Sequence, residues 1–125
     1  MTKLPKLVRE AWENRDGFAI LTTVDKTGVP NSVYIGAVEL YKESKIVIAD
    51  NYFDKTKANI FNGSKGSFLF ITKERKAYQL KGTFTYRTEG NIFDFMKSWN
   101  SDKHPGHAAA ILEIEEIYSG AEKVA

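Results

Sequence analysis

Short runs of β-forming residues begin at Phe18, the first three separated by turns of only four or five residues. No other feature of the chain constrains its fold as much. Phe18-Ala19-Ile20-Leu21-Thr22-Thr23-Val24 is rich in apolar and β-branched residues, as a pleated, half-buried surface requires. Asp25-Lys26-Thr27-Gly28 is a turn whose glycine is free to take positive φ. The pattern predicts a returning strand from Asn31 to Tyr41, a second turn from Tyr41 to Lys45, and a third strand from Lys45 to Asp50. Parallel neighbours need a crossover of about a dozen residues or more. These three runs therefore read as a meander. Further strands are expected at Ser67 to Thr72, Ala77 to Thr88 and Ala108 to Tyr118. Six strands of this kind predict a mainly β fold, an antiparallel sheet closing into a small barrel with a few short helices.

Three helices are expected around that sheet. Leu4, Leu7, Val8, Ala11 and Trp12 repeat at helical spacing. Asp54 is a candidate N-cap for a short helix ending near Gly63. Ile92, Phe95, Met96 and Trp99 form a third apolar stripe after Gly90. Trp12 and Trp99 read as core or interface anchors. Residues 119–125 read as a polar tail. In 125 residues without a linker or repeat, this is one domain, residues 1–125.

Composition removes several classes of function. There is no cysteine, hence no disulfide framework, thiolate nucleophile or Cys-bound metal. Lys and Arg number 18 against 16 Asp and Glu, and this near-balance argues against a nucleic-acid binder. The longest apolar runs fall far short of the ~20 residues of a membrane helix. No secretory apolar core follows Met1, so a cytoplasmic location is the expectation. Aromatic residues make up 13%, enough to serve a core, a flat ligand or a subunit interface.

Few residues suggest chemistry of their own. Lys55 and Thr56 open a short helix, where free N–H groups, an ammonium and a hydroxyl together suit a phosphate. Asp54 competes for the same N–H groups, and an exposed polar first turn is the plainer reading. Gln79 and Lys81 alternate onto the polar face of a long strand, which either faces solvent or donates to a ligand or second subunit. His104 and His107 lie in a loop without a matching carboxylate pattern, and no metal site is expected. Glu113, Glu115 and Glu116 read as a solvated strand face. No nucleophile elbow, Walker loop or dinucleotide fingerprint is present. Any redox chemistry has to come from a bound cofactor.

Several segments in order resemble the pyridoxamine 5′-phosphate oxidase-like, FMN-binding split-barrel family, especially its small FMN-binding members. They are Thr27-Gly28-Val29-Pro30-Asn31-Ser32-Val33-Tyr34, Ile46-Val47-Ile48-Ala49-Asp50-Asn51, Asp54-Lys55-Thr56-Lys57-Ala58-Asn59, Tyr78-Gln79-Leu80-Lys81-Gly82-Thr83 and Arg87-Thr88-Glu89-Gly90. The resemblance implies a six-stranded antiparallel split barrel and a homodimer with FMN at the subunit interface. It implies that Lys55 and Thr56 hold the FMN phosphate. Ser32, Val33 and Tyr34 would line the ring, Ile48, Ala49, Asp50 and Asn51 would run beside it, and Gln79 and Lys81 would approach it. The family's oxidases carry an arginine-rich C-terminal segment, whereas Ser119 to Ala125 contains no arginine. A true pyridoxamine 5′-phosphate oxidase is therefore not expected. The implied function is a small dimeric flavoprotein in redox chemistry, with an unknown redox partner or small-molecule substrate. A non-catalytic FMN carrier, or a relative binding F420 or heme, is the alternative.

Overall fold

Eight strands and three helices make up residues 3–125, as described by a computed structural model. Their order is α1 (Lys6–Glu13), β1 (Ala19–Val24), β2 (Pro30–Ile35), β3 (Val38–Tyr41), β4 (Lys45–Asp50), α2 (Lys55–Phe61), β5 (Lys65–Ile71), β6 (Ala77–Arg87), α3 (Asn91–Trp99), β7 (Ala108–Ser119) and β8 (Glu122–Lys123). Among the described residues no helix is long and apolar enough to cross a membrane.

The sheet runs β2-β1-β5-β6-β7-β4-β3, all pairs antiparallel. The strand expected from Asn31 to Tyr41 is in fact two. β2 pairs with β1 at one edge and β3 pairs with β4 at the other. Gly36 and Ala37 carry the chain from edge to edge, so the curled sheet is bridged by its own backbone. This is a split barrel, mainly β, as expected. A Cβ on Gly36 would lie 2.6 Å from the Phe18 ring, so the passage runs directly against that side chain. The expected three-strand meander is corrected to two hairpins, β1–β2 and β3–β4. The reason lies in β4, which is apolar on both faces. Ile46 and Ile48 enter the barrel core, while Val47 and Ala49 lie under α3. Such a strand needs neighbours and cover on both sides, and β7, with Ala108 to Leu112 all buried, supplies the long partner.

A second correction concerns the tail. Gly120, at φ +59, turns the chain back, and β8 pairs with Tyr118 and Ser119 of β7. Ile117 donates its N–H to the Ala125 carbonyl at 2.9 Å. Val124 and Ala125 pack on the core.

Helix α1 plugs one end of the barrel with Val8, Ala11 and Trp12, preceded by buried Leu4. Trp12 is 2% exposed and lies 5.5 Å from both Phe68 and Phe70, centroid to centroid. It is a core anchor, and its truncation to Ala should cost about 3–5 kcal/mol. Helix α3 lies outside the barrel, with Met96 buried against Val47, Ala49, Ala109 and Ile111. Gly82 permits the closest backbone approach in the sheet. A Cβ there would meet the Glu113 carbonyl oxygen at 1.8 Å, next to a bulge where Lys81 faces Glu116 and Gly82 faces Ile114.

Candidate functional site

A cavity of about 860 Å³ opens where the β2–β3 passage, the end of β4, the start of α2 and the end of α3 meet. Its volume is near the upper end of the roughly 300–1,000 Å³ seen for small-molecule sites.

The β4–α2 crossover forms one wall. Asp50 closes β4 and is 1% exposed. One carboxylate oxygen accepts the Phe53 N–H at 3.0 Å, and the other accepts the Tyr86 hydroxyl. Burial, together with the bond to Asp50, raises the Tyr86 pKa well above the usual phenol range. Asn51, beside it, is bonded to Asn100 and to the Gly106 N–H. Both side chains thus fix backbone around the cavity.

The start of α2 lies at one end of the cavity. Asp54 occupies the N-cap position but makes no side-chain capping bond, and its side chain is 94% exposed. It therefore does not consume the first-turn N–H groups, and the objection raised by its presence falls away. The Lys55 ammonium stands 3.9 Å from Asp54 on a side chain that is 75% exposed. Thr56 is buried, and its Oγ1 accepts from Asn31 Nδ2 at 3.4 Å, leaving its own O–H to donate. Asn59 donates to Thr23 Oγ1 at 2.9 Å and ties α2 to the barrel.

Of the eleven residues implied by the sequence, Val33, Tyr34, Ala49, Asn51, Lys55 and Thr56 line this cavity. Ile48 and Asp50 do not; Ile48 lies in the barrel core and Asp50 beneath the cavity wall. Ser32, Gln79 and Lys81 lie on the outer face of the sheet. There the register sets Tyr34, Ile20, Leu69, Gln79 and Tyr118 side by side across five strands. A parallel row holds Ser32, Thr22, Ser67, Lys81 and Glu116. Thr22 and Ser32 share a 2.8 Å hydroxyl bond, and Gln79 Nε2 donates to Ser67 Oγ at 2.7 Å. Lys81 Nζ sits 4.8 Å from the Tyr118 ring centroid, and the Tyr118 hydroxyl, donating to Glu116, has its pKa raised by that bond. None of these ten residues is buried. Tyr34, 76% exposed, joins this face to the cavity rim.

Sequence reasoning missed the far wall, made by Trp99, Asn100, Ser101 and His104, and the rim residues Phe18 and Tyr52. Phe18 and Tyr52 are 69% and 72% exposed, and large exposed aromatics beside a strand or turn were the signal available. His104 Nδ1 is 3.0 Å from the Tyr52 hydroxyl. No group of three or more His, Cys, Asp or Glu able to hold a metal occurs among the described residues. Glu113 is paired with Lys45 at 2.6 Å, and Glu115 lies 3.6 Å from Lys65.

The fold and sequence have known counterparts. The sequence model of the family described as pyridoxamine 5′-phosphate oxidase matches residues 4–119. An uncharacterized protein of Methanocaldococcus jannaschii is 30% identical over 125 residues, 95% of this chain and 82% of its own. Among solved structures, HupZ of Group A Streptococcus is 26% identical with a TM-score of 0.80, covering 93% of each chain. An FMN-binding protein from Syntrophomonas wolfei is 23% identical with a TM-score of 0.77, over 93% of this chain and 90% of its own. An F420 reductase shares the fold at 10% identity and a TM-score of 0.70, over 92% and 98%. With the split barrel matched along nearly its whole length, the chain belongs to the pyridoxamine 5′-phosphate oxidase family.

Proposed function

We propose that the protein is a homodimeric flavoprotein that binds FMN non-covalently and takes part in redox chemistry, as an oxidoreductase or an electron carrier. The carrying observation is that one cavity joins a cation and a hydroxyl at a helix start to apolar walls. The Lys55 ammonium, the α2 N–H groups and the Thr56 hydroxyl suit the phosphate. Val33, Ala49 and Phe53 offer apolar surface to a flat ring. FMN, when bound, supplies hydride or single-electron transfer at its ring. The chain's own residues bind it, orient it and limit its contact with water.

In this reading the uncovered sheet face packs on a second copy. Gln79 and Lys81 then serve the partner's cavity rather than their own, and the Lys81 charge favours negative charge on the ring. Support comes from the exposed Tyr34, which belongs to both the face and the cavity rim, and from the FMN-binding protein that shares the fold.

The test is the visible spectrum of the purified protein and its molecular mass by sedimentation, followed by anaerobic titration with NADH and NADPH. A flavin spectrum and a dimer are expected. A colourless protein that stays colourless on FMN titration overturns the cofactor assignment. Stoichiometric binding of F420 without FMN binding would reassign it, a reading for which the F420 reductase of the same fold gives reason. Bound FMN that neither nicotinamide reduces favours a carrier.

A further inference from the structure

The loop from Asn100 to His107 has no regular secondary structure, and residues 101–105 are exposed. It is nevertheless held at defined points. Asn51, 9% exposed, accepts the Asn100 Nδ2 and the Gly106 N–H on its Oδ1, each at 2.9 Å. Its Nδ2 donates to Asn100 Oδ1 at 3.1 Å. The His107 N–H reaches the Asp50 carbonyl at 2.9 Å, and Lys97 Nζ donates to the Pro105 carbonyl at 3.1 Å. Gly106 takes φ +56, and a Cβ there would lie 2.9 Å from Asn100 Nδ2. The loop approaches the amide pair this closely because the position is glycine.

An amide side chain offers two acceptor lone pairs and two N–H donors. Both acceptor sites of Asn51 are taken within the loop, and one N–H is used. Asn51 lines the cavity, yet its hydrogen-bonding capacity is spent almost entirely on holding Asn100 and Gly106. The loop in turn carries Ser101 and His104 to the cavity, and Tyr52 meets His104 across the mouth.

We propose that the Asn51–Asn100 amide pair positions loop 100–107 as the cavity's outer wall and thereby controls access of a second molecule to a ligand bound there. Asn51 is a positioning residue, and the identity of the bound ligand as FMN rests on the function proposed above.

The test compares the wild-type protein with Asn100→Ala and Asn100→Asp. Amide exchange is followed by NMR without added ligand. Asn100→Ala removes both side-chain bonds to Asn51, and the Gly106 N–H should exchange about tenfold faster or more. Core amides such as Leu112 and Ile114 should be unchanged. Asn100→Asp keeps an acceptor for Asn51 Nδ2 but sets a carboxylate oxygen against Asn51 Oδ1 in place of the amide donor, so Gly106 exchange should rise there too. Unchanged Gly106 exchange overturns the proposal, and so does equal acceleration throughout the sheet in both variants. With FMN bound, iodide quenching of its fluorescence should rise roughly threefold or more in Asn100→Ala. A Kd raised tenfold with quenching unchanged would place the pair in the cofactor grip and defeat the proposal. Failure of the wild type to bind FMN refutes the flavin reading alone, because the exchange result still decides the role of the pair.

Discussion

Replacing Tyr86 with Phe isolates the hydrogen bond that anchors the cavity's inner wall. The substitution removes one oxygen and leaves the ring in place, where it packs edge-on against Phe61 at 4.9 Å between centroids. What it takes away is the donor to Asp50, a carboxylate that is 1% exposed. Water cannot readily replace the lost donor, and Phe53 N–H remains as the other side-chain contact. Hydrogen bonds to charged groups contribute about 1.5–3 kcal/mol, so Tyr86→Phe should lower stability by about that amount. For a chain of this length the melting temperature should fall by roughly 5–12 °C. Urea unfolding at neutral pH gives the free-energy difference directly. The double variant with Asp50→Asn should show a coupling of about 1–2 kcal/mol. There is also an alkaline signature. The folded-state Tyr86 pKa is raised by burial and by Asp50, so the folded protein holds the phenolic proton more tightly than the unfolded chain. Its contribution is complete below the unfolded value of about 10 and is lost as pH rises beyond it. The stability gap between wild type and Tyr86→Phe should therefore narrow above about pH 10. A loss below about 0.5 kcal/mol at neutral pH, with no coupling to Asp50, would refute the assignment of this bond as the wall's anchor.

Three further outcomes test other parts of the structure. Lys55→Ala should weaken FMN binding by about tenfold or more by fluorescence titration, while the unfolding midpoint of the ligand-free protein moves little, since the side chain is 75% exposed. Equal FMN affinity would remove Lys55 from the phosphate end. Leu69→Glu places a carboxylate in the central strand of the uncovered face, where Leu69 is 37% exposed. Sedimentation should report monomers, and a dimer of unchanged affinity would show that the second copy packs elsewhere. Gly82→Ala drives a methyl to within 1.8 Å of the Glu113 carbonyl oxygen. Because that atom is backbone, relief requires the strands to part, and a cost of about 3 kcal/mol or more is expected in urea unfolding; a variant as stable as wild type would mean that β6 and β7 yield locally at the bulge.

The helices and the runs of strand residues were legible because their signals are local. The i, i+3, i+4 stripe from Leu4 to Trp12 and the alternation from Tyr78 to Tyr86 are written in adjacent residues. Pairing is different. A turn such as Tyr41 to Lys45 says that β3 meets β4, but nothing near Asn31 says that β2 must leave the far edge of the sheet. Only the double-sided burial of β4, against both barrel and α3, excludes β2 from its side. The meander failed there, and the continuous strand with it, at Gly36 and Ala37.

The candidate site divides along the same line. Lys55 and Thr56 were found because a helix start is a local object whose unpaired N–H groups travel with it. The resemblance groups Asp50 with ring contacts as it does Ala49 and Asn51, yet its partners are Phe53, three residues on, and Tyr86, 36 residues away. The place of Trp99 to His104 in the cavity wall went unseen, since the bonds that hold that loop there come largely from Asp50 and Asn51, about 50 residues away. Gln79 and Lys81 are the instructive case. Alternation placed them correctly on a polar strand face, and cross-strand register then aligned that face with Ser32 and Tyr34. A single chain leaves the face uncovered and keeps these two side chains out of its own cavity. If they serve the cavity's ligand, as proposed above, a second copy has to bring them to it, and no period or spacing within one chain encodes the surface that another chain presents.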